Sequence, residues 1–216
     1  MLGINIAEIF IKQIPNGIWR ENCYVVSNET KGALIIDPGS DHLAIQYYCD
    51  LNKLQVHAIL NTHGHYDHIG AIKYLKNKYN IPLYMHSKDS RLVRSANLYK
   101  QLFEGEEIIN IPTIDYFIDE INNPIKIGDF LIDFISTPGH TSGSVCILIK
   151  DCLFTGDTLL KGKVGRVDLP GGDPVLLKKS LIAISKLSNK NKIFPGHGKS
   201  STIKKELETI KGFLQK

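Results

Sequence analysis

The feature that most constrains the fold of this 216-residue chain is a recurring pattern of short apolar segments that end near a glycine and a histidine or aspartate. The apolar run 56–60 leads to His63, and later runs lead to His140, Asp157 and His197. Apolar runs of about four to eight residues bounded by turn residues are typical of buried strands. We therefore expect each of these polar side chains to lie on a loop that a rigid strand holds in place.

The segment 62–68 contains three histidines and one aspartate within six residues. His63 and His65 are two positions apart, so in extended backbone they point to the same side and can bind one metal ion. Asp67 and His68 lie where the chain turns into a predicted helix, and they can bind a second ion. A lone histidine is more often a surface or hydrogen-bonded core residue, but that explanation does not account for the whole cluster.

The apolar pattern predicts two similar halves, each with strands before helices. In the first half we predict strands at 4–12, 22–27, 33–36, 56–60 and 82–85 and helices at 41–54 and 69–78. In the second half we predict strands at 125–127, 130–135, 144–149, 152–155 and 192–194 and helices at 173–187 and 201–214. Two such halves predict two packed sheets with helices outside, a four-layer α/β arrangement. We expect one domain over residues 1–216, with 87–122 as a connecting insertion of one or two helices.

The composition is that of a soluble globular protein, with 43% hydrophobic and 22% charged residues. The N-terminus lacks the basic cluster and apolar run of a signal peptide, and no apolar stretch approaches the ~18 residues that span a bilayer. We therefore expect a cytoplasmic protein without membrane association. The four cysteines form no CxxC pair, which predicts buried, reduced thiols: Cys23, Cys49, Cys146 and Cys152.

The formal net charge is +4, and lysines are concentrated in the last 44 residues of the chain. These lysines are scattered, with no aromatic residues interleaved, so they indicate a solvated surface on two helices rather than a nucleic-acid site.

Taken with their spacing, these residues resemble the metallo-β-lactamase superfamily over nearly the whole chain. The resemblance implies an αβ/βα sandwich and a site for two metal ions. It implies that one ion is held by His63, His65 and His140, and the other by Asp67, His68 and His197. Asp157 would bridge both ions, and the carboxylates Asp67 and Asp157 are the candidate catalytic residues.

The expected cofactors are two divalent metal ions. A shell of imidazoles and carboxylates without thiolate accommodates zinc, iron or manganese, and we expect zinc with the other two as alternatives. Two ions about 3.5 to 4 Å apart can share a water molecule, lower its pKa and polarise a substrate carbonyl. The expected nucleophile is therefore a bridging hydroxide.

A narrower resemblance involves the segment 164–173, the segment 194–198 and the following Ser201-Thr202-Ile203. They resemble the short, single-domain glyoxalase II-like thioesterases, which act on hydroxyacylglutathione. A thioester suits this site, because a thiolate whose parent thiol has a pKa of ~8.5 departs with little help from a general acid. The expected partner is a small-molecule thioester, and thioesters of glutathione are among the candidates. No nucleic-acid partner is expected.

The candidate substrate-binding residues are Arg166, which would bind a substrate carboxylate, and more weakly Lys163 and Lys161. Asp168 is expected to orient Arg166, although both charges could equally be solvated loop residues. Full-length glyoxalase II enzymes carry a helical C-terminal domain that helps to bind glutathione, and this sequence ends soon after His197. The thiol carrier and the oligomeric state therefore stay open.

Several other functions fit the sequence less well than a thioesterase does. The β-lactamases proper usually place a cysteine at the second metal, and this sequence has none there. A persulfide dioxygenase with a single iron tends to have glutamine where this chain has Pro170. An RNA-processing nuclease is usually longer, and a non-enzymatic relative would have lost ligands. Another ester, lactone or phosphodiester remains an alternative substrate.

We expect Tyr66 to pack beneath the site, and His42, His57 and His86 to be surface or helix-end residues.

Overall fold

Two six-stranded sheets form the centre of the computed structural model, which describes residues 8–105 and 108–215. The first sheet contains, in spatial order, β1 (Ile9–Asn16), β2 (Glu21–Asn28), β3 (Gly32–Ile36), β4 (Gln55–Leu60), β5 (Leu83–Met85) and β6 (Tyr116–Phe117). The second contains, in chain order, β7 (Ile125–Ile127), β8 (Phe130–Ser136), β9 (Val145–Ile149), β10 (Cys152–Gly156), β13 (Lys192–Pro195) and β14 (Ser201–Thr202). A separate hairpin consists of β11 (Leu159–Leu160) and β12 (Lys163–Val164).

The first three strands are antiparallel, and β3 to β6 are then parallel. In the second sheet β7 to β10 are antiparallel, and β13 joins β10 in parallel. Residues 4–7 of the predicted first strand lie outside the described residues.

In the part of the chain that the structure describes, six helices cover the outer faces: α1 (His42–Leu51), α2 (Ile72–Tyr79), α3 (Ser90–Arg94), α4 (Ala96–Glu104), α5 (Pro174–Ser185) and α6 (Ile203–Leu214). Side chains cap three of them at the N-terminus, where Asp41, Asp173 and Thr202 accept hydrogen bonds from backbone N–H groups of the first turn. The predicted helix at 69–78 begins only at Ile72, because residues 66–68 form a separate 3-10 turn. Within the described ranges, no helix combines the length and apolarity needed to cross a bilayer.

Side chains that alternate in direction along the strands produce the layers of the sandwich. On β2, Cys23 and Val25 pack in a core with α1 and α2, whereas Tyr24 and Val26 face the second sheet. Successive side chains of a strand point to opposite faces, so a strand that has a core on each side carries apolar side chains on both faces.

The second sheet repeats this arrangement. Cys146 and Leu153 pack against α5 and α6, while Val145 and Phe154 face the first sheet. The resulting order is helices, sheet, sheet, helices, and the predicted four-layer α/β sandwich is confirmed. The four cysteines are buried and free, as predicted.

Residues 87–122 were predicted to be a connecting insertion, and their described part is packed into the sandwich. Val93 and Ala96 belong to the core under the first sheet, and β6 adds a sixth strand to that sheet. His86, expected at the surface or at a helix end, is 7% exposed and precedes a 3-10 turn at Ser87–Asp89. The extent of the domain, 1–216, stays a prediction.

Candidate metal centre

The structure brings all seven predicted ligands together at one edge of the sandwich. His63, His65, Asp67 and His68 follow β4 of the first sheet. The remaining three follow strands of the second sheet: His140 after β8, Asp157 after β10 and His197 after β13. The ligands therefore come from both sheets, and each is carried by a loop at a strand end.

Three imidazoles form the first group, which contains His63, His65 and His140. Nδ1 of His65 lies 3.1 Å from Nε2 of His63 and 2.9 Å from Nε2 of His140. Burial and the neighbouring histidines hold the pKa of His63 well below its usual value, and burial with His140 lowers that of His65 to about 3. These two rings are neutral at pH 7, which is the form that binds a metal ion.

The second group contains Asp67, His68 and His197. Oδ2 of Asp67 lies 3.4 Å from Nε2 of His197 and 3.7 Å from Nε2 of His68. Burial alone would raise the pKa of Asp67, but His68 and His197 hold it well below its usual range. This carboxylate is therefore ionised at neutral pH and available as a ligand.

Asp157 lies between the two groups. Its Oδ2 is 3.7 Å from Nε2 of His140 in the first group and 3.5 Å from Nε2 of His197 in the second. Its Oδ1 is 4.0 Å from Nε2 of His68. One carboxylate thus approaches ligands of both groups, which is the position that a bridging ligand occupies.

Two buried atoms at the centre of the cluster test whether metal ions fit. Nε2 of His68 and Oδ1 of Asp157 have no hydrogen-bond partner among the described residues. Buried polar atoms are normally satisfied, and imidazole and carboxylate donors are those that zinc and iron accept. The two groups contain no cysteine. The donor set therefore fits divalent ions bound by nitrogen and oxygen.

Asp37 supports the cluster from behind. Its carboxylate accepts hydrogen bonds from the backbone N–H of Thr62 at 2.7 Å, from Oγ1 of Thr62 at 2.6 Å and from Nδ1 of His68 at 3.2 Å. Donation from Nδ1 turns Nε2 of His68 towards the site. Although burial opposes it, Asp67 and Asp37 raise the pKa of His68, so a cation that binds here competes with a proton.

Asp89 joins the loops that carry the first group. Its Oδ2 accepts hydrogen bonds from the backbone N–H of Gly64 at 2.8 Å and from Oγ1 of Thr141 at 2.7 Å. Its Oδ1 accepts one from the backbone N–H of Gly143 at 2.7 Å. The carboxylate is 1% exposed, and it ties the loop of His63 and His65 to the loop of His140.

Sequence reasoning missed both supporting carboxylates. Asp37 was not among the candidate residues, and Asp89 lies in the predicted insertion 87–122. A carboxylate directly after a buried strand was the available signal for Asp37. For Asp89 no local signal exists, because its partners lie 25 to 54 residues away.

Two glycines let the backbone approach the ligands closely. A Cβ atom at Gly196 would lie 2.3 Å from Oδ1 of Asp157, and one at Gly39 would lie 1.9 Å from the carbonyl oxygen of Asp67. Any other residue at either position would displace a ligand.

The loop after β12 contacts the site through its backbone. The carbonyl oxygen of Arg166 accepts a hydrogen bond from Nδ1 of His140 at 2.8 Å. The guanidinium of Arg166 makes a two-point ion pair with Asp168, with N–O distances of 2.7 Å. The structure thus places Asp168 against Arg166, and both side chains are more than half exposed.

A cleft of about 530 Å³ opens beside the ligands. Lys163 and Arg166 line it together with Trp19, Tyr66 and Phe103. Tyr66, expected to pack beneath the site, is partly buried against the core under the first sheet and also lines the cleft, where its hydroxyl accepts a hydrogen bond from Nε1 of Trp19 at 2.8 Å. The sequence carried no signal for the aromatic residues of this lining.

A four-layer sandwich with a histidine and aspartate cluster at its edge defines a class of metal-binding proteins. The family model of the metallo-beta-lactamase superfamily matches residues 16–197, and the chain belongs to that superfamily. Its members bind metal ions and are generally metal-dependent hydrolases.

Two curated relatives span almost the same length. The chain is 33% identical over 196 residues to the probable metallo-hydrolase YqgX of Bacillus subtilis, with 89% of this chain and 92% of the relative covered. It is 30% identical over 204 residues to the hydroxyacylglutathione hydrolase GloC of Haemophilus influenzae, with 91% and 94% covered.

Two solved structures are similar in fold and sequence. The B3 metallo-beta-lactamase BLEG-1 has a TM-score of 0.88 and 35% identity, with 96% of this chain and 100% of that chain covered. TTHA1623, solved in a di-iron-bound form, has a TM-score of 0.81 and 31% identity, with 92% and 98% covered.

Proposed function

We propose that this protein is a binuclear metal-dependent thioesterase that cleaves small S-acyl thioesters such as hydroxyacylglutathione. The observation that carries the proposal is the position of Asp157 between the two predicted groups of three ligands. Two such groups favour two ions over the single iron of a persulfide dioxygenase. The similarity to GloC supports a glutathione thioester as the first substrate to test.

The carboxyl groups of the cleft suit a leaving group that needs no proton. Among the described residues that line it, the only carboxylic acids are Asp67 and Asp157. Asp67 is held ionised by His68 and His197, so it is a poor acid at neutral pH. A thiolate departs without protonation more readily than an amine or an alkoxide, because its parent thiol has a pKa of ~8.5.

The protein's residues would divide the work as follows. Bound divalent ions would supply a hydroxide nucleophile at neutral pH and polarise the acyl carbonyl. The predicted ligand histidines would hold these ions, and Asp37 and Asp89 fix the rings and loops that carry them. The carboxylates of Asp67 and Asp157 would accept a hydrogen bond from the attacking hydroxide and orient it.

Arg166 and Lys163 are the proposed contacts for a carboxylate on the thiol carrier. Both line the cleft, and the exposed ion pair between Arg166 and Asp168 can exchange its carboxylate for one on the substrate. An exposed pair of this kind contributes little stability, so the exchange costs little. Arginine suits this role because its planar fork binds a carboxylate through two hydrogen bonds.

The test is thioesterase kinetics on S-lactoylglutathione and other glutathione thioesters, using samples loaded with zinc, iron or manganese. The metal content of each sample is measured by elemental analysis. We expect turnover in at least one metal form, with a loss of at least about 100-fold in kcat for Asp157→Asn. Asp129→Asn is the matched control, because Asp129 is exposed in the turn between β7 and β8. Absence of turnover on every thioester with two ions bound would contradict the proposal.

A second candidate, β-lactam hydrolysis, is favoured by the 35% identity to BLEG-1. The same metal-loaded samples are tested with a chromogenic cephalosporin. Iron-loaded protein is also tested with glutathione persulfide while oxygen is followed. A kcat/KM for either reaction above that for every thioester would replace the thioesterase proposal.

A further inference from the structure

We propose that the cleft selects thioesters whose acyl group is uncharged and mainly hydrocarbon, and that an apolar wall beside the metal centre binds this group. The wall is formed by Trp19, Tyr66, Leu92, Tyr99 and Phe103, all of which line the cleft. This inference rests on the proposed thioesterase function and names the substrate class that the site would accept.

The wall is assembled from four separate segments. Trp19 lies in the turn between β1 and β2, Tyr66 in the 3-10 turn between β4 and α2, and Leu92 on α3. Tyr99 and Phe103 are four residues apart on α4, so they share one face of that helix. The four segments converge on one cleft, and each contributes an apolar or aromatic side chain to its lining.

Contacts within the wall hold its rings in place. The rings of Tyr66 and Phe103 are stacked, with centroids 6.5 Å apart and planes inclined by 17°. Nε1 of Trp19 donates a hydrogen bond to the hydroxyl of Tyr66 at 2.8 Å. This bond satisfies the polar atom of the indole, so Trp19 offers the cleft mainly the hydrocarbon face of its ring.

The wall exposes apolar surface that a ligand could cover. Trp19 is 50% exposed and Phe103 is 42% exposed. Removing such surface from water is favourable, at about 25 cal/mol per Å². None of the five wall side chains carries a charge at neutral pH, so the wall offers no counter-ion to an ionised acyl group.

The position of Tyr66 assigns the wall to the acyl group and not to the thiol carrier. Tyr66 stands between the ligands His65 and Asp67 in the sequence, so the wall begins next to the metal centre where the acyl carbonyl reacts. The cationic residues of the cleft, Lys163 and Arg166, lie on a different segment, and they suit the charged carrier.

The first experiment measures kcat/KM for glutathione thioesters that differ only in the acyl group: acetyl, butyryl, hexanoyl, phenylacetyl and succinyl. We expect kcat/KM to rise about two- to fourfold per added methylene, and to be lowest for the charged succinyl group. Phe103→Ala should abolish most of this dependence and Phe103→Leu should restore it. Leu102→Ala is the matched control, because Leu102 is 71% exposed on the same helix and does not line the cleft.

The second experiment measures binding without turnover. Trp19 is the only tryptophan of the chain, so its fluorescence reports directly on ligands that reach the wall. Metal-loaded protein is titrated with S-alkylglutathiones, which are thioethers that cannot be hydrolysed. We expect the fluorescence of Trp19 to change on binding and the affinity to increase with the length of the alkyl chain.

The two experiments separate the two proposals. Chain-length-dependent binding of the thioethers without turnover of any thioester would overturn the thioesterase function and support the wall. Turnover of thioesters with no dependence on the acyl group, and no dependence of thioether affinity on chain length, would overturn the wall. A kcat/KM for the succinyl thioester equal to that for butyryl would also overturn it.

Discussion

At the residue scale, buried carboxylates outside the ligand set determine where the ligands stand. Asp37 fixes Thr62 and the ring of His68, and Asp89 joins the loops that carry the first group of ligands. Burial raises the pKa of Asp89, although Thr141 and two backbone N–H groups oppose that rise by hydrogen bonding. The hydrogen bonds of Asp89 to Gly64, Thr141 and Gly143 reach the loops of His63, His65 and His140, which form the first group.

Replacing Asp89 by asparagine should therefore weaken the binding of one metal ion and not that of the other. An amide offers a donor where backbone N–H groups need an acceptor, so the two loops should separate. We expect the affinity for the first ion to fall about 10- to 100-fold, while the affinity for the second stays within about threefold. Competition between the protein and a chromogenic chelator measures both affinities.

The control for this prediction is Asp119→Asn. Asp119 accepts hydrogen bonds from the backbone N–H and Oγ of Ser87 in the same 3-10 turn, but it does not contact the ligand loops. An equal loss of affinity for both ions in Asp89→Asn, or no loss of affinity for either, would contradict the selective role of Asp89.

At the scale of elements, Glu206 on α6 connects the hairpin of β11 and β12 to the second sheet. Its carboxylate accepts hydrogen bonds from the backbone N–H of Gly162 at 2.8 Å, from Oγ1 of Thr209 at 2.8 Å and from Oγ of Ser201. Burial alone would raise the pKa of Glu206, but the hydrogen bonds from Ser201 and Gly162 hold it below its usual value. The hairpin carries Lys163, so this contact links α6 to the cleft.

Glu206→Gln should lower the free energy of unfolding by about 1 to 3 kcal/mol at pH 7, because the charged acceptor is lost. The pKa of Glu206 is lower in the folded protein than in the unfolded chain, so its contribution is present above the unfolded value near 4.5. It is lost as the pH falls below that value and through the folded pKa. Urea unfolding of metal-free wild type and variant at pH 7, 5 and 4 measures the difference.

Glu208→Gln is the matched control on the same helix, since Glu208 makes only an exposed ion pair with Lys211. We expect this substitution to change stability by less than about 0.5 kcal/mol. A difference between wild type and Glu206→Gln that stays constant from pH 7 to pH 4 would show that the carboxylate charge is not what matters.

At the scale of the whole molecule, the metal centre joins the two halves of the sandwich. The loop after β4 supplies ligands from the first sheet, and loops after β8, β10 and β13 supply the others. Ions that bind here bind only the folded arrangement, so they should stabilise the whole fold against unfolding.

Removing the metal with a chelator should therefore lower the melting temperature. At a free metal concentration 1,000 times the dissociation constant, the loss is about 4 kcal/mol per ion. Differential scanning calorimetry of metal-loaded, metal-free and reloaded protein measures it. For Asp157→Asn, removing the metal should change the melting temperature much less than for the wild type. Identical melting temperatures for the loaded and metal-free wild type would contradict the prediction.

The sandwich and the ligand set could be predicted from the sequence because their signals are local. Apolar runs of strand length mark the buried strands, and His63, His65, Asp67 and His68 follow one of them within a few residues. The four two-residue strands, β6, β11, β12 and β14, were missed because an apolar pattern cannot be recognised over two positions.

Only the tertiary structure decided how the surroundings of the ligands are arranged. Trp19 reaches Tyr66 across 47 residues, and Asp89 reaches Gly143 across 54 residues. The packing of α3 and α4 beside the site likewise depends on contacts with the core under the first sheet. Such contacts have no period and no fixed spacing in the sequence. The sequence by itself therefore determined the layers and the predicted ligand residues at their edge, whereas folding determined the supporting carboxylates and the residues that line the cleft.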